Sequence, residues 1–165
     1  MGVLFRNKLI FKTVLLFLLA VAIVPTVSAA ESNSVYVAEV KADFEKTYKS
    51  VYKSLEDNRF FVVFEVNIGN SLARFGNKWD NYNLNKIDNI KSMVFCNGWY
   101  ANKVSNADPD MLGLCPLRIT MTHKAGMTKV LFVRPDVVGK DSKAAPVLKE
   151  LNKAVIDAIE QGLAE

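Results

Sequence analysis

A stripe of apolar residues near the C-terminus constrains this chain most. Val147, Leu148, Leu151, Val155, Ala158, Ile159 and Leu163 recur at three- and four-residue steps. That is the spacing of one face of an α-helix. A helix with a single apolar side must bury it against another element. Ser142 stands where a cap for this helix is expected. Residues 43–55 repeat the pattern: Phe44, Tyr48, Val51 and Leu55 share a face, and lysines fill the other. Two such helices need one broad apolar surface, and the remaining segments supply strands to make it.

Residues 60–68, FFVVFEVNI, form the clearest strand. Phe60, Val62, Phe64, Val66 and Ile68 alternate onto one face, with Glu65 and Asn67 on the other. Residues 35–40 read as an earlier strand, and Met93, Val94 and Phe95 as a buried one ending at Cys96. Leu117, Ile119, Met121 and His123 alternate with Arg118, Thr120 and Thr122. Residues 129–134 return as the hairpin partner around Gly126. The predicted fold class is α+β. It is a two-layer sandwich, with a mainly antiparallel sheet and two long amphipathic helices on one face. Phe60, Phe64, Val51, Leu55, Leu151 and Val155 are expected in one core.

The first residues read differently. Arg6, Lys8 and Lys12 precede an unbroken apolar run over residues 13–24, followed by Pro25 and the small residues Val27, Ser28 and Ala29. This is the order of a secretory signal peptide. The expected organisation is therefore a signal peptide over residues 1–29 and one domain over residues 30–165. Cleavage is expected after Ala29 or Ala30, and the protein is expected to be exported, periplasmic or secreted. An uncleaved anchor is the alternative, although the run is shorter than the roughly 20 residues of a membrane span. After cleavage no membrane contact is expected. The formal net charge of +4 falls to about +1 without the three N-terminal basic residues, because no acid precedes Glu31. No basic stripe remains for a phosphate backbone, which argues against nucleic acid.

The chemistry-bearing residues gather around a corner after Cys96. Asn97-Gly98 is a breaker pair, and Trp99, Tyr100 and Asn102 follow it. Cys96, Asn97, Trp99, Tyr100 and Asn102 are the candidate ligand-binding residues. Asn and Asp equally serve turns by bonding local backbone. The chain has two cysteines, and an exported protein can keep them oxidised. A Cys96–Cys115 disulfide is expected, because each closes or opens a strand beside the same excursion. Cys96 as a catalytic thiol is the alternative, but a nucleophilic thiol needs a base, and His123 is the only histidine. His123 is also the weak candidate for a metal ligand; no ligand spacing accompanies it. No cofactor is implied. Residues 76–89 are asparagine-rich, and Trp79 and Tyr82 within them are lids or anchors to the core.

The FFVVFEVNIG strand, the SMVFCN strand end, the segment ADPDMLGLCPLRITM and the terminal helix resemble the domain of unknown function 302 family. Cys96 and Asn97 match the family's Cys-Asn-Pro corner, with Gly98 in place of the proline. Cys115 precedes Pro116, where the family places a cysteine after its proline. The resemblance implies a compact α+β fold and homodimers, and it implies no reaction. The preferred functional reading is a non-enzymatic domain binding a small molecule or a protein partner at the Cys96 corner. The alternatives are a thiol-dependent redox enzyme using Cys96 and a structural homodimeric envelope protein.

Overall fold

A computed structural model describes residues 28–31 and 34–165. The apolar run and its basic flank lie outside the described residues. Six strands form one antiparallel sheet: β1 Ser28–Glu31, β2 Val35–Val40, β3 Phe61–Asn67, β4 Asn89–Cys96, β5 Leu117–Lys124 and β6 Met127–Val133, in the order β1-β2-β6-β5-β4-β3. The helices are α1 Phe44–Asp57, α2 Ile68–Ala73, α3 Gly98–Ala107, α4 Pro135–Val138 and α5 Ala145–Leu163, with short 3-10 turns at Gly76–Lys78 and Pro109–Leu114. The fold is α+β.

Helix α1 begins where Asp43 accepts a hydrogen bond from the Lys46 amide at 2.8 Å, which satisfies one of the first-turn donors. Its buried side carries Phe44, Thr47, Tyr48, Val51, Ser54 and Leu55. Arg59 then takes a positive φ of 63°, and the Phe60 amide reaches back to the Leu55 carbonyl at 2.8 Å. That closes the helix and aims Phe60 into the core. Helix α5 buries Leu148, Leu151, Val155, Ala158, Ile159 and Leu163. These residues join Tyr36, Ala38, Met93, Phe95, Ile119, Met121, Val130 and Phe132 of the sheet in one apolar cluster.

The two long helices also meet each other closely. A Cβ on Gly162 would lie 2.7 Å from the Val51 Cα and 3.0 Å from the Ser50 carbonyl oxygen. Only a residue without a side chain permits that backbone approach. At the same crossing Ser54 Oγ donates to the Ala158 carbonyl at 2.7 Å, and Asn58 Nδ2 donates to Gln161 Oε1 at 3.0 Å. Ser142 does not cap α5 directly. Its Oγ accepts from the Ala144 amide at 3.0 Å and donates to Asp108 Oδ2 at 2.5 Å, tying the start of α5 to the end of α3.

One core expectation fails. Phe64 is 61% exposed, as are its neighbours Phe61 (55%) and Val63 (64%). Strand β3 is an edge strand, and its register against β4 shifts between Val62 and Phe64. The extra residue of a bulge moves every later side chain to the opposite face. Val62 therefore points to the core side with Phe95, while Phe64 pairs with Val94 on the open face. The same slip turns Glu65 toward α1, where Tyr48 Oη donates to its carboxylate at 3.2 Å. Burial, helped by the Glu65 charge, pushes the Tyr48 pKa above its ordinary value.

Strand β1 crosses the expected cleavage point. Ser28, Ala29 and Ala30 pair with Glu39, Ala38 and Val37 of β2. A cut after Ala29 or Ala30 would leave β1 with two residues or one. Intact mass of protein recovered from its own cell envelope checks the expectation. A species beginning at Ala30 or Glu31 is predicted, and one retaining residues 13–24 refutes it.

Candidate functional site

The two ends of β4 hold the candidate sites, and they differ. At its C-terminal end, Asn97 is the N-cap of α3. Its Oδ1 accepts from the amides of Trp99 at 3.0 Å and Tyr100 at 3.1 Å, and its Nδ2 donates to the Arg59 carbonyl at 3.1 Å. The side chain of Asn97 is thus consumed in building the corner. Tyr100 stacks on the buried Phe60 ring at 6.1 Å and meets Trp99 edge-on at 4.7 Å. Trp99 is 60% exposed, and Lys103 Nζ sits 4.3 Å over its ring. Asn102 is exposed on α3.

The expected disulfide is absent: Cys96 and Cys115 are both free thiols, each half-buried. Burial pushes the Cys115 pKa up, and the neighbouring Cys96 adds to the shift. Both effects disfavour the Cys115 thiolate, the form a nucleophile needs. His123 lies at the other end of the sheet, paired with Asn89 of β4. Its Nδ1 is 2.9 Å from Thr128 Oγ1, and its ring meets Phe44 edge-on at 6.0 Å. The structure thus separates His123 from the cysteines by the length of β4, about 23 Å at strand rise. Among the described residues, no group of three or more His, Cys, Asp or Glu side chains is placed to hold a metal ion.

At the N-terminal end of β4 the chain builds a cavity of about 290 Å³. Its walls come from α2, the loop 79–88 and the first residues of β4. Asn67 closes β3 and starts α2 by accepting from the Asn70 amide at 2.8 Å. Gly69 lets α2 settle against β4; a Cβ there would sit 3.3 Å from the Ile90 nitrogen. Farther along, Tyr82 lies flat against Gly76, where a Cβ would approach the ring to 2.9 Å. Asn83 exchanges two hydrogen bonds with the Ile87 backbone, both 2.9 Å, and takes a positive φ of 47°. Asparagine tolerates that conformation better than other side-chain-bearing residues. The Asp88 amide then donates to the His123 carbonyl at 2.8 Å, and Asp88 Oδ2 accepts from the Ala125 amide at 3.2 Å. The loop is a tied structure, anchored to the β5–β6 turn.

Asn67 and Asn83 spend their side chains on this scaffold. Asn70, Asn81 and Asn89 do not: they line the cavity, Asn70 and Asn81 exposed and Asn89 half-buried, and their side chains make no hydrogen bond among the described residues. Trp79 (48% exposed) and Tyr82 (38%) add aromatic surface, and Leu72, Ile87 and Ile90 add aliphatic surface. Asp88 is the one charged lining residue. Reasoning from sequence placed Trp79 and Tyr82 in a structured loop but put the ligand site at Cys96. The asparagine run of residues 76–89 is the sequence signal for the cavity.

A second hollow of about 380 Å³ is lined by Glu45, Tyr48, Lys49, Tyr52, Glu65 and Lys91. Lys91 already pairs with both carboxylate oxygens of Glu45, at 2.7 and 2.8 Å, and Tyr48 with Glu65. Glu45, Glu65 and Lys91 are thus engaged within the hollow, and Lys49 makes no ion pair among the described residues.

Residues 36–164 match the family described as Domain of unknown function DUF302. The chain belongs to this family. A crystal structure of an uncharacterized conserved DUF302 protein from Bacillus stearothermophilus is similar to the domain, with a TM-score of 0.68 and 16% identity. The alignment covers 79% of this chain and 98% of that one. At that identity the likeness speaks to the fold. No curated protein matches the chain. The DUF302 domain is one of unknown function.

Proposed function

We propose that this DUF302 protein is an exported, non-enzymatic binding module that holds a small polar ligand in the cavity at the Asn89 end of β4. The carrying observation is a hollow with aromatic walls that is also lined by Asn70, Asn81 and Asn89, whose side chains make no hydrogen bond among the described residues. A binding pocket combines apolar lining with a few placed polar groups, and this hollow has both. The Cys96 corner supports the reading less well, because the Asn97 side chain is used as a cap. Export rests on the basic, apolar and small-residue order of the first 29 residues.

Protein-observed NMR against a set of small polar molecules tests the site. Shifts concentrated in residues 67–90 are expected. Shifts confined to residues 96–102, or none in either region, overturn the proposal.

A second reading concerns assembly. The edge strand exposes Phe61, Val63 and Phe64, and Val94 of β4 lies beside Phe64 on the same open face. An unprotected apolar edge invites pairing with another chain, so we propose a homodimer through this side. Light scattering on purified protein should give twice the chain mass, and Phe64→Lys should return it to the monomer mass. A monomer at micromolar concentration refutes this.

A further inference from the structure

We infer that the asparagine cavity takes a neutral sugar unit, a polyol of hexose size. This rests on reading that cavity as the binding site. Charge narrows the class first. Among the described residues no Lys, Arg or His lines the cavity, and Asp88 brings a negative charge. A phosphate or carboxylate ligand would lose water, gain no counter-charge and face that carboxylate.

Hydrogen-bonding capacity narrows it further. Each asparagine amide offers one acceptor oxygen and two N–H donors. A hydroxyl group both donates and accepts, so neighbouring hydroxyls satisfy both ends of an amide. A wholly apolar ligand would leave three amides unpaired, and each loss weakens binding. The amides also come from different elements: Asn70 from α2, Asn81 from the loop and Asn89 from β4. Partners arriving from several sides suit a ring with hydroxyls around its whole rim. A flat heterocycle read along one edge uses them less completely.

The aromatic walls complete the match. A pyranose ring has a polar rim and a face of C–H bonds, and such a face packs on an exposed ring such as Trp79 or Tyr82. At about 290 Å³ the cavity lies at the small end of the range for ligand pockets. That suits a single unit.

The test uses the fluorescence of Trp79 in a Trp99→Phe background, so that one tryptophan reports. The probes are methyl glycosides of glucose, galactose and mannose, N-acetylglucosamine, glucuronate, adenosine and cyclohexanol. Saturable change with at least one neutral sugar is expected, with glucuronate weaker. Asn70→Ala and Asn89→Ala should each weaken that binding about 10-fold, with unchanged unfolding midpoints. Saturation by adenosine, glucuronate or cyclohexanol with no response to any neutral sugar overturns the sugar class and leaves the cavity as a site. Sugar binding that survives both asparagine variants overturns the assignment to this cavity. Silence from every probe overturns the sugar class; joined to an absence of NMR shifts in residues 67–90, it overturns the binding site as well.

Discussion

Truncating Phe60 to alanine will remove about 3–5 kcal/mol of folding stability. The side chain is 1% exposed and fills the space between α1, β4 and α3. Its ring meets Phe95 edge-on at 5.9 Å and stacks on Tyr100 at 6.1 Å. Alanine would leave a void lined by those two rings and the Leu55 turn, and the backbone bond from the Phe60 amide to the Leu55 carbonyl holds the walls apart. A site that cannot collapse keeps its cavity and its full cost. Urea unfolding measures the change; a loss below about 1 kcal/mol would show that the corner repacks.

Leu151→Ala will cost about 2–5 kcal/mol for a related reason. Leu151 is 3% exposed on the buried side of α5, among Leu148, Val155 and the sheet face. Its helix cannot drop inward to fill the void, because Gly162 already brings α5 against the α1 backbone. An effect under half a kcal/mol in the same unfolding experiment would mean that the apolar stripe is not where α5 meets the sheet.

These two residues show what was legible in advance. The period of α5 and the Phe44–Leu55 stripe of α1 are local patterns, and each predicted the side that is buried. The β5–β6 hairpin was equally plain: Ala125 and Gly126 take φ values of 50° and 80°, the geometry of a tight hairpin turn. Phe64 was misplaced because a bulge is decided by pairing with β4 and leaves no mark on the alternation of β3. The edge position of β3 was hidden for the same reason, since strand order depends on contacts far apart in sequence. Helix α3 starts directly at Gly98 because Asn97 caps it, where the Asn97-Gly98 pair read only as a breaker. As for the site, unpaired amides and structural amides are the same letter in a sequence. Only the hydrogen bonds separate Asn83, which ties its own loop, from Asn89, which does not.

The cavity is lined by one unbroken stretch of chain, residues 67–90, although the loop is tied to the β5–β6 turn. The rest of the domain meets it through the ends of β3 and β4 and those ties at His123 and Ala125. Changing the length of such an excursion costs little, because closure entropy grows only with the logarithm of loop length. On the proposed reading of the cavity, what it holds can therefore be rewritten without disturbing the helices that keep the domain folded. A segment exchanged between two members of this fold at Asn67 and Ile90 would carry its binding preference with it, much as a key bit can be recut on an unchanged blank.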